Sequence, residues 1–186
     1  YPGSVSRGEL YNDDPRLGDA RFCGTTASMC GVESAGFEQD QQKMQEAIRM
    51  DIMLHAYMLT QSGIPMLYSG DEVGQVNDYT YKQEPGKAVD SRYIHRGRFQ
   101  WDLAAECEDT ETVAGQIFQA LGQLVTIRRR EKVFDADADC LVADAGDDAV
   151  LCLIRTKGKE QMMGLFNFHD RERNVAVEQD GIWKDM

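Results

Sequence analysis

Charged, amide and aromatic side chains able to do chemistry gather in two stretches that lack helical or strand periodicity. The longer, residues 70–112, carries Asp71, Glu72, Asn77, Asp78, Asp90, Arg92, His95 and Arg96, with Tyr79 and Tyr81 among them. The shorter, residues 1–24, carries Arg21. Arginine presents a planar fork to paired oxygens, carboxylates accept from hydroxyls, and aromatic rings stack on apolar sugar faces. Asp71 and Glu72 invite acid–base catalysis, because glycosidases use two carboxyl groups. Neighbours on a strand point to opposite faces, however, so this pair cannot flank one bond from both sides. Both acids are therefore read as bracing the loops around a site.

The elements that must position these residues follow from pattern. Gly63-Ile64-Pro65-Met66-Leu67-Tyr68-Ser69-Gly70 is a Gly turn followed by a continuous apolar run. That run suits a strand over 64–69 buried on both faces, as in parallel sheets. Ligands collect at the carboxyl ends of such strands, which is where the 70–112 loop begins. Upstream, Met44, Ile48, Asp51/Ile52, His55 and Leu59 repeat at helical spacing, predicting a helix over 37–61 that ends at Ser62-Gly63. His55 lies in that apolar stripe and reads as a core histidine, with no second metal ligand three or four positions away. Thr25 or Thr26 can cap a short helix reaching about Val32, and Thr112 a helix over 113–131. The second helix has Ile117, Leu121 and Leu124 on its inner face, and Arg128, Arg129 and Arg130 at its C-terminus, where the dipole favours them. After Phe134, strand-like runs at 140–143, 149–155, 161–168 and 174–177 predict an antiparallel unit.

Composition bounds the rest. The chain has 186 residues, 42% hydrophobic and 28% charged, with formal net charge −12. A core of ordinary size is possible, while the acidic surface argues against nucleic acid and anionic membranes as partners. No apolar run approaches the ~20 residues of a spanning helix. Five cysteines, an odd number with no C-x-x-C, read as free thiols of a reducing compartment such as the cytoplasm, and neither cysteine nor histidine spacing suggests a metal. The start at Tyr1, without Met or signal-peptide features, leads to the expectation of a longer reading frame upstream.

The motifs carry a resemblance. Gly63-Ile64-Pro65-Met66-Leu67-Tyr68-Ser69-Gly70-Asp71-Glu72 resembles the last barrel strand of the α-amylase superfamily, with its G-x-P-x-x-x-x-G-x-E pattern. Val76-Asn77-Asp78-Tyr79, Asp90-Ser91-Arg92-Tyr93-Ile94-His95-Arg96, Thr112-Val113-Ala114-Gly115-Gln116-Ile117-Phe118 and Arg21-Phe22-Cys23-Gly24-Thr25-Thr26-Ala27-Ser28 are similar to segments of its amylosucrase and sucrose hydrolase branch, in the order expected. The resemblance implies the C-terminal part of a (β/α)8 TIM barrel over 1–135, holding the last strand and flanking helices. An incomplete antiparallel β-sandwich domain follows over 136–186. It further implies retaining α-glucosyl transfer: an Asp nucleophile forms a glucosyl-enzyme from sucrose, a Glu acts as acid and then base, and glucose passes to an α-1,4-glucan or to water. No dissociable cofactor is implied.

In that family the three essential carboxylates lie on the fourth, fifth and seventh barrel strands, in an R-x-D-A-like stretch, an acidic strand end and an H-D pair. None of these segments occurs here, since His169-Asp170 stands in the C-terminal β region. The resemblance therefore assigns no catalytic residue to this chain, predicts it inactive alone, and makes the missing N-terminal part of the barrel its partner. Arg92 matches one half of a salt bridge at the bottom of the glucosyl pocket, its partner Asp lying in that missing part. Arg21 matches an arginine on the acceptor side. Asp90, His95 and Arg96 are expected to order the loop. Two other expectations stand beside this one: another glycoside hydrolase of the superfamily, or a non-catalytic carbohydrate-binding module.

Overall fold

Two long helices and two small antiparallel sheets make up the computed structural model, which describes residues 3–178 and 183–185. The elements are β1 (Glu9–Tyr11), β2 (Arg21–Cys23), α1 (Thr26–Cys30), α2 (Val32–Glu38), α3 (Gln41–Thr60), α4 (Trp101–Ala104), α5 (Val113–Arg130), β3 (Asp139–Ala143), β4 (Val150–Lys157) and β5 (Glu160–Asn167). Short 3-10 turns at Asp71–Val73, Tyr79–Gln83, Ser91–His95 and Lys132–Phe134 punctuate the connections. The described chain divides into two packed units. One holds the residues up to His55 together with Met66–Leu124, the other Ala56–Pro65 with the residues from Val125 onward.

In the first unit, side-chain caps open α1, α3 and α5. Thr25 Oγ1 accepts the Ser28 amide and opens α1, satisfying a donor that a helix start leaves orphaned. Gly31, at φ 106°, ends α1 and lets α2 begin at once. Asp40 Oδ1 accepts from the Lys43 amide and opens α3, four residues later than the periodicity suggested. Phe37 ends up in α2 and is 90% exposed. Thr112 Oγ1 accepts the Gly115 amide and opens α5, as expected. Ile48 of α3 packs with Ile117 and Leu121 of α5, so the two apolar stripes meet. Gly115 permits a close approach: a Cβ there would stand 1.9 Å from the Asp109 carbonyl oxygen.

Two stretches differ from expectation. Residues 1–24 contain a short hairpin, with Glu9, Leu10 and Tyr11 opposite Cys23, Phe22 and Arg21. Three-residue strands are too short to leave an alternating signature, which is why the sequence read as loop. Residues 64–69 form no strand and pair with no other described strand. Ile64 is 89% and Met66 78% exposed. A continuous apolar run becomes a buried strand only where flanking strands offer ladder partners, and the described residues supply none.

The second unit is built on a three-stranded meander, β3–β4–β5, with Ala143 opposite Cys152 and Ile154 opposite Met163. The turn between β4 and β5 uses Gly158 at φ 61°, a conformation that costs glycine little. Residues 174–177, expected as a fourth strand, form none, although Val175 and Val177 pack against Val150, Cys152 and Ile154. Arg155, only 1% exposed, donates to the carbonyls of Val133 and Asp135 and to Ser62 Oγ. Arg128 donates to the carbonyls of Leu59, Gln61 and Gly63. It therefore serves the Leu59 carbonyl in the last turn of α3, a group a helix end leaves without a partner, and two carbonyls just beyond that end, in addition to favouring the dipole of its own helix.

Candidate functional site

Arg92 is held on two sides. It lies in the turn Ser91–His95, which Asp90 opens by accepting the Arg92 amide at 3.0 Å. The same carboxylate takes the guanidinium as a fork, Nε at 2.9 Å and Nη2 at 2.7 Å. Hydrogen bonding from Arg92 holds the Asp90 carboxyl down at about 2. The guanidinium carbon lies over the Tyr11 ring, 4.3 Å from its centroid. Ser91 Oγ donates to the Leu10 carbonyl and ties this turn to β1. Ile94, fully buried beside Cys23 and Tyr81, anchors it from below. The carboxylate expected from outside this chain is thus matched, among the described residues, by one from Arg92's own turn.

Arg21 stands opposite Tyr11 in the β1–β2 register. The two arginines singled out from sequence therefore flank one tyrosine. Arg21 is exposed and paired with Asp19 at 3.1 Å, so it faces outward. Beside this cluster opens a hollow of about 500 Å³ lined by Glu9, Tyr11, Asn12, Tyr81, Lys82 and Ser91. Glu9 accepts from the Tyr81 hydroxyl and pairs with Lys82. A second hollow, about 430 Å³, is lined by Lys87, Tyr93, Arg96 and Arg98, with Asp78 and Gln100. Arg96, expected to order the loop, is exposed along that wall and lies 5.6 Å from the Tyr93 ring centroid.

Asp71 and Glu72 sit in a 3-10 turn rather than at a strand end. Glu72 Oε2 accepts the Gly70 amide at 2.8 Å and Asp71 Oδ2 the Tyr68 amide at 3.0 Å. Asp71 also faces a buried histidine. His55 Nε2 is 3.6 Å from Asp71 Oδ2, and His55 Nδ1 is 3.0 Å from Asp51 Oδ1 while bonding to the Asp51 carbonyl at 2.9 Å. Asp51 Oδ1 thus stands at ion-pair distance from the ring, and neither Asp51 oxygen has a further hydrogen-bond partner among the described residues. Burial alone would lower His55, but Asp51 and Asp71 outweigh it and lift the imidazole to about 10. Burial raises the Asp51 carboxyl; for Asp71 the burial penalty is outweighed by His55 and the Tyr68 amide, and its carboxyl is lowered. The Cys30 thiol is pushed up to about 12 by burial and by both carboxylates.

His95 packs edge-on against the Tyr68 ring, centroids 5.8 Å apart. Its buried Nδ1 has no hydrogen-bond partner among the described residues. Burial and then Arg96 lower its pKa, so it is a neutral ring in the loop wall. Among the described residues no group of three His, Cys, Asp or Glu side chains could hold a metal ion. No described helix is long and apolar enough to cross a membrane.

No family model matches the chain. It is similar to the glucosylglycerate phosphorylase of Escherichia coli (strain K12), 26% identical over 128 residues, which are 68% of this chain and 22% of the phosphorylase. The chain thus spans about a fifth of the length of that curated relative. The similarity is to an enzyme of glycoside chemistry in the broad sense. It lends no support to the narrower expectations of amylosucrase and sucrose.

Two features have little local signal in the sequence. Tyr11 stands in a stretch without helical or strand periodicity, and nothing local marks it as the platform for Arg92. Asp51 and His55 were visible as polar residues one helical turn apart in an apolar stripe. That spacing is the signal of a buried ion pair, and the third member, Asp71, becomes a neighbour only through folding.

Proposed function

We propose that this chain is the C-terminal part of a retaining α-glucosyl-transferring enzyme that uses sucrose as donor. On this reading residues 1–135 contribute the end of a (β/α)8 barrel and the rest begins a β-sandwich. The observation that carries it is the Asp90–Arg92 fork on Tyr11, in a segment similar to the one that closes the glucosyl pocket of amylosucrases. A cation fixed there confines the donor to one terminal glucosyl ring and can take its hydroxyl oxygens bidentately. The similarity to a phosphorylase of a glucosyl compound supports the reaction class. So does the exposed apolar run at Ile64 and Met66, since exposed apolar surface marks a place for further protein. Asp71 and Glu72 already hold backbone amides of their own turn, which suits support rather than acid–base work. The nucleophile and acid/base belong to the part of the barrel outside this chain, so this chain alone turns over no sucrose.

The relative's name favours a second reading, in which the glucosyl unit passes to phosphate. Full-length parent enzyme incubated with sucrose, with and without inorganic phosphate, separates the two. Fructose with growing glucan supports transfer to sugar, fructose with glucose 1-phosphate supports phosphorolysis, and no fructose under either condition overturns the sucrose reading. Arg92→Ala in the parent is expected to raise KM for sucrose about tenfold and to improve relative use of longer glucans. Unchanged sucrose preference would count against the role of Arg92. Glucan binding by this chain, without turnover when the rest of the barrel is added, would point to a binding module instead.

A further inference from the structure

We infer that Tyr11 is the positioning residue that fixes the Arg92 guanidinium and thereby the donor selectivity of the pocket, a reading that rests on the role of Arg92 proposed above. Asp90, tied to the Arg92 amide, holds the fork along one edge through Nε and Nη2, and the arginine side chain is still 41% exposed. The second hold on the guanidinium comes from another element. The Tyr11 ring supplies it, its centroid 4.3 Å from the guanidinium carbon, within the range at which a ring quadrupole attracts a cation.

The ring is itself held. Its backbone is laddered to Arg21, the Ser91 hydroxyl bonds to Leu10 next to it, and its side chain packs against the cluster of Cys23, Tyr81 and Ile94. The hydroxyl of Tyr11 makes no hydrogen bond to another described residue, so the aromatic face is the working part.

The test is a set of variants in the full-length parent, assayed for sucrose kcat and KM. Tyr11→Leu is expected to raise KM about tenfold with kcat changed less than twofold, and Tyr11→Phe, which keeps the ring, to restore the parental KM. In an Arg92→Ala background, Tyr11→Leu is expected to add no further change, because it acts through Arg92. A general structural role would instead lower kcat and thermal stability in both backgrounds. Where the leucine variant does not fold, Tyr11→Met carries the same comparison. A Tyr11→Leu enzyme with parental KM, beside an Arg92→Ala enzyme that is impaired, overturns this inference and leaves the glucosyl reading standing. An Arg92→Ala enzyme with parental kinetics overturns both.

Discussion

His55 and Asp71 face each other at 3.6 Å, one on helix α3 and the other in the 3-10 turn that follows the exposed apolar run. With Asp51 on the opposite side of the ring, the imidazolium pairs with both a buried and a largely buried carboxylate. The turn that launches the Arg92 loop is therefore fastened to α3 by a buried ion triad. Asp71 extends the fastening to the Tyr68 amide, and the Tyr68 ring to His95.

Removing the central member should be costly. His55→Ala leaves two desolvated carboxylates without a counter-charge, a loss of about 3–5 kcal/mol. Asp51→Asn in that background should recover part of it, because one uncompensated charge disappears. Equilibrium urea unfolding of the four combinations measures the coupling; additive effects would show that the triad is not a unit.

The triad also makes stability depend on pH. His55 is raised in the fold, so its contribution is complete below the unfolded value of about 6.5 and is lost as pH climbs through about 10. Asp71 is lowered, so its contribution is present above about 3.9 and is lost as pH falls through its folded value. Asp51, raised by burial, opposes Asp71 and narrows the acid-side loss. The midpoint of urea unfolding should fall from pH 7 to pH 10, and His55→Ala should flatten that slope. An equal slope in the variant would assign the alkaline loss to other groups.

Arg155 offers a test in the second unit. Its buried guanidinium satisfies the carbonyls of Val133 and Asp135 and the Ser62 hydroxyl, and it lies 5.7 Å from the Phe134 ring centroid. Arg155→Met keeps the stem but strands those acceptors, at about 2–4 kcal/mol. Arg155→Lys should recover little, because an ammonium cannot reproduce the planar fork. A lysine variant as stable as the parent would show that charge rather than geometry matters there.

Two glycines of α5 should respond in opposite directions. Gly115→Ala gains about 1 kcal/mol of helix propensity but drives a methyl to 1.9 Å from the Asp109 carbonyl oxygen. Backbone must move, and the net result should be a loss of more than about 2 kcal/mol. Gly122→Ala meets nothing within 4 Å and should stabilise by about 0.5–1 kcal/mol. Thermal unfolding of the pair decides; destabilisation by both would mean that α5 tolerates no added volume.

Much of the framework could be read before folding. The caps at Thr25 and Thr112, the helices over most of 41–60 and 113–130, and three of the four strands expected after Phe134 all follow from contacts within a few residues or from simple periodicity. The run at 64–69 misled because apolar continuity states a preference for burial without supplying the partners. Tyr11 was overlooked for the converse reason: its neighbourhood is polar and turn-like, and its aromatic face matters only against Arg92.

The sequence by itself determined the local elements and the inventory of chemical groups, because propensity, capping and side-chain periodicity act over one or two turns of chain. Tertiary structure alone decided the pairings: Arg92 with Tyr11, His55 with Asp71, Arg128 with the end of α3. Each joins groups from separate elements, and their strength comes from desolvation and orientation that exist only once those elements have packed.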